Sequence, residues 1–249
     1  GNNRTEATGL RSVAVGHATQ ATAEESSAYG FYAQATGYRG SAYGAFTEAK
    51  GEHSSAYGSN AQAMGVFSSA YGGGALASAN NSIAISSGYI VDSNGRVTHT
   101  KATAERAAAI GYLAQATAVD ALALGSGAQA TVAYGVALGA MSVADRITMA
   151  AGVYVPTGAD AGGVSATVKG GGIGVVSIGS GSFTRQLAGV AAGIADTDAV
   201  NVSQLKALDG VVVSHDARIA GNTSAINAVS ADVAMAVKYD AGKKSVTLG

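Results

Sequence analysis

Small apolar residues return at fixed intervals along the first half of the chain. Four phrases of the form Ser/Gly-Ser-Ala-Tyr-Gly begin 14 residues apart, at Ser26, Gly40, Ser54 and Ser68. The residue two before the end of each repeat is always alanine, also outside these four phrases: Ala14, Ala28, Ala42, Ala56, Ala70, Ala84, Ala109, Ala123 and Ala137. Because a unit this short cannot bury an apolar face by itself, the period predicts a solenoid of stacked coils whose core forms between neighbours.

A half-period of seven residues divides each coil. Gly37, Gly51 and Gly65 lie midway between the glycines that close successive repeats. Each coil is therefore predicted to contain two short strands joined by two tight bends. We expect glycine at these bends, because it accepts a positive φ and a close approach of neighbouring backbone.

The alternation of side chains along a strand assigns the repeated positions to two faces. If the alanines point into the coil, the larger residue that follows each of them points outward. These residues are Val15, Tyr29, Tyr43, Tyr57, Tyr71, Ile85, Ile110, Leu124 and Leu138. An exposed apolar ladder of this length favours aggregation, so we predict that another copy of the chain covers it. The alternative is that the large residues fill the interior and the alanines lie outside.

The period is interrupted first at about residues 87–100. Asn94-Gly95 stands between two apolar-alternating runs, which is a strong β-hairpin signal. Loops that protrude from a rigid scaffold are common binding sites. The candidate ligand-binding residues are therefore Tyr89, Asp92, Asn94, Arg96 and His99. Asp92 and Asn94 also resemble part of a calcium loop, but the downstream acidic ligand is missing, so no metal site is predicted.

A second interruption covers residues 146–172. Its apolar segments 153–156 and 164–168 predict a longer hairpin or a small excursion, with a glycine-rich return at 170–172. A last coil-like phrase follows at 175–179. The excursion either binds a ligand or only caps the roll, and the sequence favours neither.

Near residue 204 the apolar spacing changes to alternating steps of three and four, which is typical of a coiled coil of nearly five heptads. The apolar seam residues are Leu205, Leu208, Val212, Ile219, Ile226, Val229 and Val233. So narrow a seam does not stabilise a lone helix, so association is expected. Asn222 is a polar d residue. In a threefold bundle its three amides could hold an anion or water on the axis, and His215, one heptad earlier, is either similar or partly solvated.

Composition narrows the function classes. The chain has 249 residues, 36 glycines, one proline, no cysteine, 12% charged residues and a formal net charge of −1. It is too apolar for disorder and has no basic stripe, so neither nucleic acid nor contact with an anionic membrane is predicted. The start of the chain is not a signal peptide, and no apolar run reaches the length of a membrane span. Since the repeat is already under way near Gly9, we expect targeting and anchoring parts elsewhere in a longer protein.

Three segments resemble trimeric autotransporter adhesins: the 14-residue coils, the connector 186–205, and the phrase Ile219-x-x-Asn222-Thr223-x-x-Ile226. The resemblance implies an all-β, left-handed parallel β-roll of 14-residue coils, then a neck and a trimeric α-helical coiled coil. It also implies a homotrimer at the bacterial cell surface, anchored in the outer membrane by a C-terminal part, and chloride on the trimer axis at Asn222. No other cofactor is expected.

The predicted organisation follows from the repeats and the resemblance. Roll repeats fill 1–145, and the second insertion with the last coil fills 146–182. The neck spans 183–203, the coiled coil spans 204–237, and 238–249 begin a further stalk domain with its first strand.

The leading functional hypothesis is a rigid trimeric adhesin that attaches to host extracellular matrix or cells by multivalent contacts. A passive spacer in a surface fibre is one alternative. Another is a tailspike-like solenoid that binds or cleaves glycans. Cleavage needs clustered acids, yet residues 26–72 contain only Glu48 and Glu52, and the four histidines lie far apart. The chain is therefore predicted not to be an enzyme.

Overall fold

The computed structural model describes residues 4–91, 93–94, 97–149, 153–240, 243 and 245–248. The chain divides into two compact units, Gly1–Gln186 and Leu187–Gly249. The first unit is a β-solenoid and the second contains one long helix.

Two parallel ten-stranded sheets form the solenoid, and each coil adds one strand to each sheet. The tyrosine sheet consists of Val13–Val15, Ser27–Tyr29, Ser41–Tyr43, Ser55–Tyr57, Ser69–Tyr71, Ile83–Ile85, Ala108–Ile110, Leu122–Leu124, Val136–Leu138 and Val176–Ser177. The glutamine sheet consists of Glu6–Ala7, Gln20–Ala21, Gln34–Ala35, Glu48–Ala49, Gln62–Ala63, Leu76–Ala77, Lys101–Ala102, Gln115–Ala116, Gln129–Ala130 and Val143–Ala144. Equivalent residues of successive coils pair in register, as Tyr29 does with Tyr43. The prediction of two short strands in each coil is confirmed.

The interior of the roll is built from alanine. Ala28, Ala42, Ala56 and Ala70 of the tyrosine sheet are fully buried, and so are their counterparts in the glutamine sheet. The following tyrosines lie on the outer surface, where Tyr57 and Tyr71 are 36% and 42% exposed. The predicted orientation is confirmed, and the alternative with alanine outside is wrong. The space between the two sheets accommodates a methyl group from each sheet but not an aromatic ring.

Positive φ occurs at the closing glycines, as expected, and also at bend residues that are not glycine. A left-handed residue occurs every seven positions, and it is usually not glycine, as at Tyr32 (φ +55°) and Phe46 (φ +57°). A single left-handed residue costs an L-amino acid about 1–2 kcal/mol. Hydrogen bonds between coils offset that cost, such as the one from the Phe46 N–H to the Phe31 carbonyl at 2.8 Å. Side chains can therefore project from both edges of the roll.

Glycine closes every repeat except the one that ends at Ser86, and the structure shows why at Gly30. Gly30 has φ +136°, and a Cβ there would lie 2.3 Å from the carbonyl oxygen of Gly44. Both the backbone conformation and the contact with the next coil exclude a side chain at this position. The close approach predicted for glycine is confirmed here.

The predicted hairpin is present in the first insertion. Tyr89–Val91 pairs antiparallel with Val97–His99. The roll continues past it without a change of register, because Leu76 pairs with Lys101 and Ile83 pairs with Ala108. The hairpin is thus an addition to a complete roll.

The second insertion is an excursion, and the longer-hairpin interpretation is wrong. Segment 164–168 does not form a strand, because Ala161–Ala166 is a short helix whose N-cap Asp160 accepts a hydrogen bond from the Gly162 N–H. One antiparallel bridge, Ile147 to Gly174, closes the excursion. The chain then returns to the roll, where Val176–Ser177 pairs with Val136–Leu138 as the predicted last coil.

The second unit holds helix Val202–Ala236, followed by strands Val237–Asp240 and Ser245–Leu248. These two strands pair antiparallel. The expectation of a single first strand after the helix is therefore wrong, because two strands are present and they pair with each other.

Candidate functional site

A cavity of about 340 Å³ lies between the hairpin and one edge of the roll. Its lining comes from two adjacent coils and from both hairpin strands: Asn60, Gln62, Gly74, Leu76, Tyr89, Val91 and His99. The insertion therefore creates a concave site on a solenoid whose faces are otherwise ridged by repeated side chains.

The hairpin register places its lining residues on one face. Tyr89 and His99 stand directly opposite each other, and Val91 follows Tyr89 at the two-residue spacing that returns a side chain to the same face. The Asn60 Nδ2 donates to the Tyr89 Oη at 3.4 Å, which connects the bend of the roll to the hairpin.

Gly74 makes room for this arrangement. It occupies a left-handed bend position (φ +66°), and the equivalent bends of earlier coils carry Tyr32, Phe46 and Asn60. A Cβ on Gly74 would lie 2.6 Å from Cδ1 of Tyr89. Because Gly74 has no side chain, the Tyr89 ring can lie against the roll.

Among the described residues, the cavity lining carries no acidic or permanently basic side chain. Burial lowers the pKa of His99 below its ordinary value, and the charge of Lys101 lowers it further. Both effects favour the neutral imidazole. Beside the lining, the Gln62 Nε2 donates to the Glu48 Oε2 at 3.4 Å. The site offers neutral amide, phenol and imidazole groups around apolar surface.

The structure brings together two of the five hairpin residues selected from the sequence. Tyr89 and His99 line the cavity, whereas Asn94 lies at the exposed turn and is not part of the lining. Asp92 and Arg96 lie outside the described residues. Sequence reasoning missed the roll side of the cavity, Asn60, Gln62, Gly74 and Leu76. The replacement of Tyr32, Phe46 and Asn60 by glycine at the equivalent bend position 74, one coil before the hairpin, was the signal that could have found it.

A second groove, of about 670 Å³, lies at the last coil of the roll. Its base is occupied by Arg185, whose guanidinium donates to the carbonyl oxygens of Ala140 and Ile178 and, at 3.1 Å, to the Ser142 Oγ. Because these polar groups bind one another, we assign no ligand to this groove.

The tyrosine ladder is a continuous stack on the outer surface. Ring centroids of Tyr29, Tyr43, Tyr57 and Tyr71 are separated by 4.7, 4.8 and 5.2 Å, and neighbouring rings are within 8° of parallel. Burial raises the pKa of Tyr43, as do the rings on either side of it. That a second copy covers this ladder remains a prediction.

The seam of helix Val202–Ala236 is uncovered within one chain. Its predicted apolar residues are 48–64% exposed: Leu205, Leu208, Val212, Ile219, Ile226, Val229 and Val233. Asn222 and His215 lie on the same stripe, around a small cleft that also includes Ile219 and Arg218. Chloride at Asn222 remains a prediction.

A reciprocal capping box starts this helix. The Gln204 N–H donates to the Asn201 Oδ1 at 3.1 Å, and the Asn201 N–H donates to the Gln204 Oε1 at 3.2 Å. The same Gln204 amide exchanges hydrogen bonds with the backbone of Gly193, both at 3.1 Å. Asp198 accepts from the N–H groups of Ile194 and Ala195, and these bonds lower its pKa. The connector is thus tied to the start of the helix.

Neither a membrane-spanning helix nor a metal-binding cluster is present among the described residues. No helix among them is long and apolar enough to cross a membrane. Nor do they contain a group of three or more His, Cys, Asp or Glu residues placed to hold a metal ion.

Comparisons with known proteins agree with this architecture. A family model described as the coiled stalk of trimeric autotransporter adhesins matches residues 186–228. A model of the YadA head domain repeat matches residues 7–33, 35–61, 63–85, 102–128 and 116–142. The head matches stop at 85 and resume at 102, so the hairpin lies outside the family repeat.

Individual proteins match this chain either over a short segment or at low sequence identity. The chain is 60% identical over 42 residues to the autotransporter adhesin BadA of Bartonella henselae, a stretch that is 16% of this chain and 1% of that relative. It is also similar to the crystal structure of the collagen-binding domain of the Yersinia adhesin YadA, with 22% identity and a TM-score of 0.44 over 84% of this chain and 88% of that one. The head and stalk models together match more than half of the residues, and the chain belongs to the trimeric autotransporter adhesin family.

Proposed function

We propose that this chain is the head and upper stalk of a homotrimeric bacterial surface adhesin that attaches to host extracellular matrix or cells. The observation that carries the proposal is the combination, in one chain, of family head repeats with a stalk helix whose apolar seam is open. Members of an adhesin family act by binding, which agrees with the expectation that the chain is not an enzyme. Three copies of each weak binding surface on one particle raise the effective concentration of the others.

Trimer formation is supported by two uncovered surfaces. The seam side chains are 48–64% exposed in a single chain, a state that an amphipathic helix reaches only when its partner is absent. The tyrosine ladder is a second apolar surface that a neighbouring roll can cover. Light scattering on the purified chain tests this: the expected mass is three times the 24.2 kDa of one chain, and a stable monomer would overturn the trimer.

Solid-phase binding tests the adhesive function. The chain is applied to immobilised collagen, fibronectin and laminin and to epithelial cells, next to a variant that lacks residues 88–98. This deletion removes the eleven extra residues between Ser86 and Gly111, which restores the period of 14, and it keeps Thr100, which is buried in the roll. Adhesion that depends on the hairpin is lost in the variant. Equal binding of both proteins assigns adhesion to the roll, and no binding by either favours the spacer.

The location follows from the family. Trimeric autotransporter adhesins are surface-exposed outer-membrane proteins, and we place this chain outside the cell on that ground. Recovery of the native protein in the outer-membrane fraction, with this segment accessible to antibody on intact cells, is the expected result.

A further inference from the structure

We propose that the cavity under the hairpin is a subsite for one neutral sugar unit, such as the terminal hexose or N-acetylhexosamine of a host glycan. The inference gives a ligand class to the adhesin proposed above and rests on that function only for the origin of the glycan. The chemistry of the cavity itself carries the argument.

The cavity has the dimensions of a small-ligand site. Its volume of about 340 Å³ is at the lower end of the range for small-molecule pockets in proteins. It has walls from the hairpin and from two coils of the roll, so a ligand that enters it contacts protein on several sides. That size suits a single saccharide ring and excludes a folded protein segment.

Its polar groups match sugar hydroxyls. Side-chain amides both donate and accept, as hydroxyl groups do. Among the described residues, Asn60 donates through Nδ2 to the Ser59 Oγ at 3.2 Å and to Tyr89, and Gln62 donates through Nε2 to Glu48. The side-chain oxygens of both amides remain as acceptors for ligand hydroxyls at the cavity wall.

The aromatic wall supplies the apolar half of the recognition. The face of the Tyr89 ring carries a partial negative charge and attracts the weakly positive C–H groups along one face of a pyranose ring. Leu76 and Val91 add apolar surface beside it. Glycine at position 74 is what permits this ring to lie there, since a Cβ would be 2.6 Å from it. The site therefore pairs an aromatic platform with amides at its rim.

Charge selects neutral over acidic sugars. Among the described lining residues there is no Lys or Arg to pair with a carboxylate, and burial favours the neutral form of His99. A buried carboxylate without a partner is strongly disfavoured. Sialic acid and uronic acids are therefore expected to bind more weakly than their neutral counterparts.

Saturation-transfer difference NMR on the whole chain tests the proposal. The probes are the methyl glycosides of galactose, glucose and N-acetylglucosamine, with N-acetylneuraminic acid and glucuronic acid as charged comparators. We expect saturation of at least one neutral glycoside, concentrated on the C–H protons of one ring face, and weak signals for the acidic sugars. No transfer to any neutral glycoside at millimolar concentration, or stronger transfer to the acids, would overturn the proposal.

Two variants locate the binding. Gly74→Ala displaces the Tyr89 ring and is expected to weaken binding by about tenfold or more. Its matched control is Gly127→Ala, which has nearly the same φ (+65°) but whose added Cβ meets only the flexible side chain of Met141. The control therefore carries the same backbone cost and should keep wild-type saccharide binding. Equal binding by both variants would place the sugar elsewhere and sink the proposal.

Tyr89→Phe and Tyr89→Ala separate ring contact from the hydroxyl. The phenylalanine variant retains the platform and most of the binding, whereas the alanine variant loses it. The matrix-binding assay distinguishes the two proposals: adhesion that persists without saccharide binding overturns the sugar site alone. Saccharide binding without any adhesion overturns the adhesin function and leaves the site in place.

Discussion

The roll and the stalk helix bury their apolar residues by opposite routes. In the roll the interior alanines are fully buried within one chain, because each coil covers the next. In the helix every apolar seam residue is about half exposed or more within the described part of the chain. One region thus completes its core with its own repeats, whereas the other leaves an apolar seam open for the further copies of the proposed trimer.

This difference separates two kinds of constraint on the sequence. Inside the roll a methyl group fills the available space, so alanine is kept from coil to coil while the outward residue changes from tyrosine to isoleucine or leucine. In the helix the constraint lies in the proposed contact with other copies of the chain. Substitutions in the roll should therefore change folding, and substitutions in the seam should change association.

The largest effect is expected from a charge in the seam. Ile219→Asp places one carboxylate per chain at the axis of the proposed trimer, and burying unpaired charges costs several kcal/mol. Sedimentation equilibrium should show the mass falling from trimer to monomer. Ser214→Asp, on the exposed helix surface outside the seam, should remain trimeric. An unchanged mass for the Ile219 variant would contradict the coiled-coil assignment.

A glycine replacement in the roll is expected to come next. Gly30→Ala forces a side chain onto a φ of +136° and against the Gly44 carbonyl oxygen. It should lower the free energy of unfolding of the roll by about 2–3 kcal/mol, read from urea denaturation followed by circular dichroism.

In the helix, a glycine-to-alanine replacement is expected to raise the stability instead of lowering it, so it serves as a control. A Cβ on Gly210 meets no atom within 4 Å, and alanine is favoured over glycine in a helix interior by about 1 kcal/mol. Gly210→Ala should therefore stabilise the helix. Destabilisation by both replacements would remove the distinction between the two regions.

A smaller effect is expected at the junction of connector and helix. Asn201→Ala removes the N-cap oxygen and the hydrogen bond from Nδ2 to the Val190 carbonyl. Loss of a cap costs about 1 kcal/mol, so the melting temperature of the helical unit should fall while the roll is unchanged. Asn201→Ser, which restores a capping oxygen, should recover most of the loss. No change in melting with Asn201→Ala would show that the connector is held by other contacts.

The smallest effect concerns pH. The N–H groups of Ala195 and Ile194 lower the pKa of Asp198, so the charged form is favoured in the folded connector. The resulting stability is present above the ordinary aspartate pKa of about 3.9 and is lost as the pH falls through the lowered value. The melting temperature of wild type should exceed that of Asp198→Asn at pH 6, and the difference should shrink as the pH falls below about 3.9. A constant difference across this range would rule out the carboxylate as its source.

Much of the architecture was predictable because it is periodic. The 14-residue spacing of Ala28, Ala42 and Ala56 specified the coil, its interior and the outward direction of the tyrosines. Asn94-Gly95 predicted the hairpin, and the change to heptad spacing predicted the helix. Each of these features is set by residues close together in the chain or by exact repetition.

Other features depended on hydrogen bonds that the repeat period does not indicate. The short helix Ala161–Ala166 follows from the Asp160 cap, which outweighed the strand-like composition of 164–168. The bends accept Tyr32 and Phe46 at positive φ because hydrogen bonds between coils hold them there. Neither effect is visible in the period of the sequence.

The candidate site shows the same division. The spacing of repeated residues predicts the roll and the open apolar seam of the helix, and Asn94-Gly95 predicts the hairpin. Each of these signals lies within one short segment or one exact period. The cavity arose only when the insertion folded back onto coils that precede it by up to 29 residues, bringing Tyr89 to Asn60 and to the space left by Gly74. The sequence places the hairpin on the roll, but only three-dimensional contact determines which roll residues it meets.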